Sequence, residues 1–74
     1  MNITLKLFAT LRDFGPKYQE LQLSENTTLE DVIKTLNLPG NFPMIRLINS
    51  EFAEVTQRLK EGDVIALFPP IAGG

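Results

Sequence analysis

The stretch Val64-Ile65-Ala66-Leu67-Phe68-Pro69-Pro70-Ile71-Ala72-Gly73-Gly74 decides how the rest of the chain is read. Val64 to Phe68 is apolar on both strand faces, the signature of a central strand covered on each side. Pro69-Pro70 ends that strand, because proline has no N–H to give a ladder and holds φ near a polyproline value. The chain therefore leaves the sheet stiffly and in a set direction. Gly73 and Gly74 carry no Cβ, so the last residues suit a narrow channel and present a carboxylate without bulk. Six extended residues beyond Phe68 reach about 20 Å, enough to enter another protein's active site.

Working outward, Asn2 to Phe8 alternates, with Ile3, Leu5 and Leu7 on one face and Asn2, Thr4 and Lys6 on the other. Phe8 falls on the polar face, where an aromatic ring is out of place. By the same parity Ile65 and Leu67 point inward, and Val64, Ala66 and Phe68 outward. If the first and last strands are neighbours, Phe8 and Phe68 form an exposed apolar patch of the kind that marks an interface. The competing reading is that loops fold over it. Thr10 to Phe14 reads as a helical turn ended by Gly15-Pro16, with Leu11 or Phe14 plugging the core edge. Tyr18 to Leu23 alternates again, with Leu21 and Leu23 inward, and pairs with the first strand as a hairpin.

Only one segment has helical period. Leu29, Val32, Ile33 and Leu36 recur at i, i+3, i+4, i+7, giving an amphipathic helix over about Thr28 to Leu36 that packs on one sheet face. Thr27 and Glu30 are placed as its capping box, with Asn37 in a left-handed cap and Pro39 blocking continuation. Glu30 and Asp31 in the first turn suit the helix dipole better than a catalytic dyad. Met44 to Ile48 is a further strand, Asn49-Ser50 a turn, and Glu51 to Ala53 a short antiparallel return. Glu54 to Lys60 is irregular, with Leu59 its one core residue. In the turn Glu61-Gly62-Asp63 the glycine supplies a positive φ and the acids are expected to be solvated.

Composition narrows function. The 74 residues make one domain, expected as a body over 1–68 and a flexible tail over 69–74. The chain has no cysteine and no histidine, so it lacks thiolate ligands, disulfides and the commonest nucleophiles and general bases. Self-contained catalysis and a metal site are not expected. A net charge of −2, from seven basic and nine acidic residues, argues against nucleic acid as a partner. No signal-peptide pattern follows Met1 and no apolar run is long enough to span a membrane, so a soluble, cytoplasmic protein is expected.

The order strand, strand, helix, strand, short strand, strand resembles the ubiquitin-like β-grasp, an α+β fold whose first and last strands lie parallel at the centre of a mixed sheet of four to five strands. Phe8-Ala9-Thr10-Leu11-Arg12, the turn Leu59-Lys60-Glu61-Gly62-Asp63 and the terminal Phe68-Pro69-Pro70-Ile71-Ala72-Gly73-Gly74 are together similar to the small, sulfur-carrier subunit of molybdopterin synthase. Thiamine-pathway sulfur carriers also end in two glycines but generally lack the double proline.

The resemblance implies a carrier rather than an enzyme. Its Gly74 carboxylate would be adenylated by an activating enzyme that consumes ATP, then converted by a sulfur donor to a thiocarboxylate. No cofactor would be bound. Pro69, Pro70, Ile71, Ala72 and Gly73 would lie inside the large subunit, whose own residues act on cyclic pyranopterin monophosphate to build the dithiolene. Phe8, Arg12 and Phe68 would face that subunit, although a merely solvated Arg12 is the competing reading. A ubiquitin-like modifier joined to lysines, a carrier of another pathway such as thiamine synthesis, and a non-covalent interaction module are the alternatives.

Overall fold

The computed structural model describes residues 1–40 and 42–70. Strand β1 (Asn2–Leu7) is followed by a 3-10 helical turn (Ala9–Phe14), β2 (Tyr18–Gln22), helix α1 (Leu29–Lys34), β3 (Ile45–Ile48), β4 (Glu51–Phe52) and β5 (Val64–Phe68). The strands form one sheet in the order β2-β1-β5-β3-β4. β1 and β5 run parallel, with Leu5 opposite Ile65 and Leu7 opposite Leu67. The remaining neighbours are antiparallel. This is the β-grasp arrangement expected from the element order.

Parity along β1 and β5 builds the core. Ile3, Leu5, Leu7, Ile65 and Leu67 are all at most 1% exposed, and Leu29 and Val32 of α1 close over them. Leu36, Ile48 and Leu59 complete the cluster. Leu11, fully buried, is the plug at the end of the sheet; Phe14 sits half-exposed against Phe42, edge to face. Burying alternate residues of two central strands under a six-residue helix gives a one-sided core: among the described residues no helix or strand packs on the other face.

The cap of α1 differs from the expected one by one residue. Thr28, not Thr27, is the N-cap: its hydroxyl accepts from Asp31 N–H at 3.3 Å, and Thr28 N–H donates to Asp31 Oδ2 at 3.0 Å. Thr27 is engaged elsewhere, because its hydroxyl donates to the Ser24 carbonyl at 2.7 Å and its own carbonyl accepts from Leu59 N–H. A Thr28–Arg58 bridge continues that pairing, so the segment remains extended until Thr28. The helix is also shorter than its apolar period, ending at Lys34. The amides of Thr35, Leu36 and Asn37 bond to carbonyls three residues back, tightening the last turn before Asn37 takes φ 55°.

Asp63 is the second departure. It is 7% exposed rather than solvated. Its carboxylate accepts from Lys60 N–H at 2.8 Å and from Asn49 Nδ2 at 2.9 Å. Asn49 Oδ1 in turn accepts from Val64 N–H at 3.0 Å, and Asn49 N–H donates to the Val64 carbonyl. Asn49 and Ser50 have φ 52° and 71°, as a two-residue hairpin turn requires. The polar tie joins the β3–β4 turn to the start of β5. Gly62 does take the expected positive φ, at 83°.

Candidate functional site

The open face of the sheet carries the residues of interest. Because β1 and β5 are parallel, their C-terminal ends coincide, and the residues after the Leu7–Leu67 pair are Phe8 and Phe68. Phe8 N–H donates to the Leu67 carbonyl at 3.1 Å, holding the chain beside β5 for one residue past the strand. The two rings stack at 4.2 Å between centroids with 9° between planes. Each is half-buried, so the expected patch exists, with its rings shielding one another.

Cross-strand register extends the patch. Ile45 lies opposite Phe68, and one row runs Phe52, Leu47, Ala66, Lys6, Tyr18 across all five strands. Phe52 is 84% exposed and Tyr18 54%. Phe8, Leu47, Val64, Ala66 and Phe68 line a shallow hollow of about 460 Å³ on this face, with Lys6 as its one charged residue. Phe52 and Leu47 were not singled out in the sequence. A two-residue turn at Asn49-Ser50 sets residue 48 opposite 51 and 47 opposite 52, so strand parity alone puts Phe52 on the face of Leu47.

Arg12 lies in the 3-10 turn at the same end of the sheet. Its Nε donates to the Leu7 carbonyl at 3.2 Å, fixing the side chain where β1 ends. The residue is exposed, so its guanidinium is anchored without being buried. Arg12, Phe8 and Phe68 thus share one end of the sheet, the end from which Pro69 and Pro70 depart. Pro69 is half-buried and Pro70 exposed. Ile71, Ala72, Gly73 and Gly74, the reacting end of the expected tail, lie outside the described residues.

Among the described residues no three or more acidic, histidine or cysteine side chains gather as a metal site, and no helix is long and apolar enough to cross a membrane. The Asp31 carboxyl is held below the ordinary aspartate range chiefly by the Thr28 N–H. That is a capping interaction, far along the chain from the patch.

Residues 5–74 match the family model described as the ThiS family. None of the curated proteins compared with the chain matches it. Among solved structures, small archaeal modifier protein 1 of Haloferax volcanii is 25% identical, with 95% of this chain and 98% of that one covered and a TM-score of 0.80. A chain in the complex of subunits 1 and 2 of molybdopterin-converting factor from Helicobacter pylori is 20% identical over 100% of both chains, with a TM-score of 0.68. A ubiquitin from Caldiarchaeum subterraneum is 19% identical over 100% of this chain and 98% of its own, with a TM-score of 0.67. The last two establish a shared fold.

Proposed function

The chain belongs to the ThiS family of ubiquitin-like sulfur carriers, and on that premise we propose that it is the small subunit of a molybdopterin synthase, delivering sulfur for molybdenum cofactor biosynthesis. The observation that supports this most is the Phe8–Phe68 stack on an open sheet face at the root of Pro69-Pro70. A partner that covers those rings receives the tail in a fixed direction.

The terminal carboxyl is an anion at neutral pH and a poor acyl donor, since its carbon resists nucleophiles until it carries a leaving group. In the proposed cycle a Gly74 carboxylate oxygen attacks the α-phosphorus of ATP on the activating enzyme, and pyrophosphate leaves. Sulfur delivered by the donor at the sulfide level then attacks the acyl carbon and AMP leaves, giving a thiocarboxylate. The sulfur of that group is a soft nucleophile carried on the backbone, so a chain without cysteine can transport it. In the large subunit it attacks a carbon of the pterin precursor and displaces an oxygen substituent, giving a thioester; water then attacks the acyl carbon, which leaves the sulfur on the pterin as a thiol and returns Gly74 to a carboxylate. This chain's residues dock, aim and thread; the groups that act on the pterin belong to the large subunit. The complex of the two converting-factor subunits from Helicobacter pylori supports such a partner.

The test is the intact mass of the purified chain after incubation with ATP, an activating enzyme and a sulfur source. The expected result is a gain equal to replacing one oxygen by sulfur. An unchanged mass with a competent activating enzyme would overturn the reading. The similarity to small archaeal modifier protein 1 favours a second use, conjugation of Gly74 to lysines of other proteins. High-molecular-weight conjugates in lysate, lost when Gly74 is deleted, would establish it.

A further inference from the structure

β2 lies at one edge of the sheet, and its outward side is regular. Met1 donates through its amino group to the Leu23 carbonyl, Leu23 N–H donates to Met1, and Leu7 N–H donates to Lys17. The odd residues from Lys17 to Leu23 therefore turn their backbone groups toward β1. In an antiparallel ladder the residues between them face the other way, so Tyr18, Glu20 and Gln22 present N–H and C=O groups along the free edge. Edge strands are usually blunted by shortness, charged side chains (lysine above all), proline or a bulge, and of these β2 has a single charge, Glu20. β4, at the opposite edge, is only two residues long, whereas β2 has five and contains neither proline nor lysine.

Beside this edge, between β2 and α1, is a hollow of about 280 Å³ lined by Leu21, Leu23, Thr27, Asp31, Val32 and Thr35. Leu21 and Leu23 are half-exposed into it. The volume is below the ~300–1,000 Å³ of pockets for small molecules and suits side chains from an added strand. Charge completes the description. Glu20 is the one charged residue of β2, and Asp31 the one charged residue lining the hollow; both are acidic and exposed.

We propose that the free edge of β2 is a docking strand for an extended segment of a partner protein whose side chains run apolar, basic, apolar. Added antiparallel, the segment sets its basic residue opposite Glu20 on the open face; the apolar residue before it falls opposite Leu21 at the hollow, and the one after it falls opposite Gln19 on the same face as Leu21. A second copy of this chain fits less well. The two-fold pairing of β2 with β2 that uses all three outward residues sets Glu20 against Glu20, and directly opposed like charges destabilise a ladder. The edge is two strands from β5, so it stays open when a partner holds the tail root.

The probe is a blocked pentapeptide, acetyl-Thr-Leu-Lys-Val-Thr-amide, titrated to millimolar concentration into the full-length ¹⁵N-labelled chain. Shifts and slowed amide exchange are expected at Tyr18, Glu20 and Gln22. Exchanging the peptide lysine for glutamate should weaken binding about fivefold, and Glu20→Lys in the protein should reverse that preference. A peptide N-methylated at the lysine amide loses the donor that faces Glu20 and should not bind. Equal binding of the N-methylated peptide, shifts confined to Phe8, Phe52 and Phe68, no shift at all, or self-association through β2 without peptide would each overturn the proposal. Sulfur loading of Gly74 takes no part in this experiment, so its failure and that of the carrier reading are separable.

Discussion

Leu7 and Leu67 are partners in the parallel β1–β5 ladder, and their register puts the next two side chains, Phe8 and Phe68, ring on ring at 4.2 Å. The leucines point into the core and the phenylalanines away from it, so one pairing divides folding from docking. Phe8→Ala and Phe68→Ala should each leave a cooperative melting transition in the isolated chain. In the proposed complex, association with the large subunit should weaken by about 2 kcal/mol or more, as truncation of a central aromatic anchor does. Calorimetric titration alongside thermal melts separates the two effects. Loss of the transition in either variant would assign that ring to the core.

Phe52 provides a sharper contrast, since at 84% exposure it has little to contribute to the monomer. Phe52→Ala should change stability by less than about 0.5 kcal/mol. If the partner covers the row from Phe52 through Leu47 to Ala66, affinity should fall at least several-fold in the same titration. Unchanged affinity would end the docking strip at Leu47.

The sheet and its core were legible in the sequence because parity in Ile3, Leu5, Leu7, Ile65 and Leu67 is a long, unbroken signal, and the apolar run over Val64–Phe68 has no other good reading. Phe8 and Phe68 were legible for the same reason, as rings on the wrong side of an alternating strand. What was not legible depended on contacts distant in sequence. The cap moved from Thr27 to Thr28 because Leu59 N–H holds the Thr27 carbonyl, and nothing near Thr27 announces that. Asp63 reads as a turn acid in the sequence because its partner Asn49 is fourteen residues away and belongs to another turn. Phe52 was readable by parity once the two-residue turn was assigned.

The Asn49–Asp63 tie carries its own prediction. Asp63→Ala removes the buried carboxylate that accepts from Lys60 N–H and from the Asn49 amide, donors on residues that are themselves exposed. Hydrogen bonds to a charged group contribute about 1.5–3 kcal/mol, and water can meet the exposed donors, so urea unfolding should show a loss of about 1.5 kcal/mol with an unchanged slope. Sulfur loading of the folded fraction should be unaffected, because the tie is at the opposite end of β5 from the tail.

Asp31 should make stability depend on acid. Its folded pKa is lowered, first by the Thr28 N–H and then by the Thr28 hydroxyl contact, so the unfolded state binds the proton more readily. The sign follows: the contribution is present above the unfolded pKa and is lost as pH falls through the folded one. Asp31→Asn should therefore be less stable than wild type near neutral pH, and the difference should shrink below about pH 4. Melts of both proteins across that range measure it; a constant difference would show that the capping charge contributes nothing.

The tail prediction concerns the free carboxylate of Gly74 and the slimness of Gly73, both outside the described residues. In the proposed cycle the same acyl carbon must lie beside a nucleotide phosphate in one enzyme and beside a pterin in another, so both sites must admit the chain lengthwise. A Cβ at position 73 meets the channel walls in both, whereas position 72 already carries one. Gly73→Ala should accordingly damage sulfur loading and transfer far more than Ala72→Ser. Displacing a reacting atom by even 1 Å costs about a hundredfold in rate, so deletion of Gly74 should abolish both steps while the melting temperature is unchanged. Mass measurement of the loaded chain and single-turnover assays with the large subunit check each step separately. Sulfur transfer that survives the Gly74 deletion would remove the terminal carboxyl from the mechanism, and equal losses for Gly73→Ala and Ala72→Ser would remove the narrow channel.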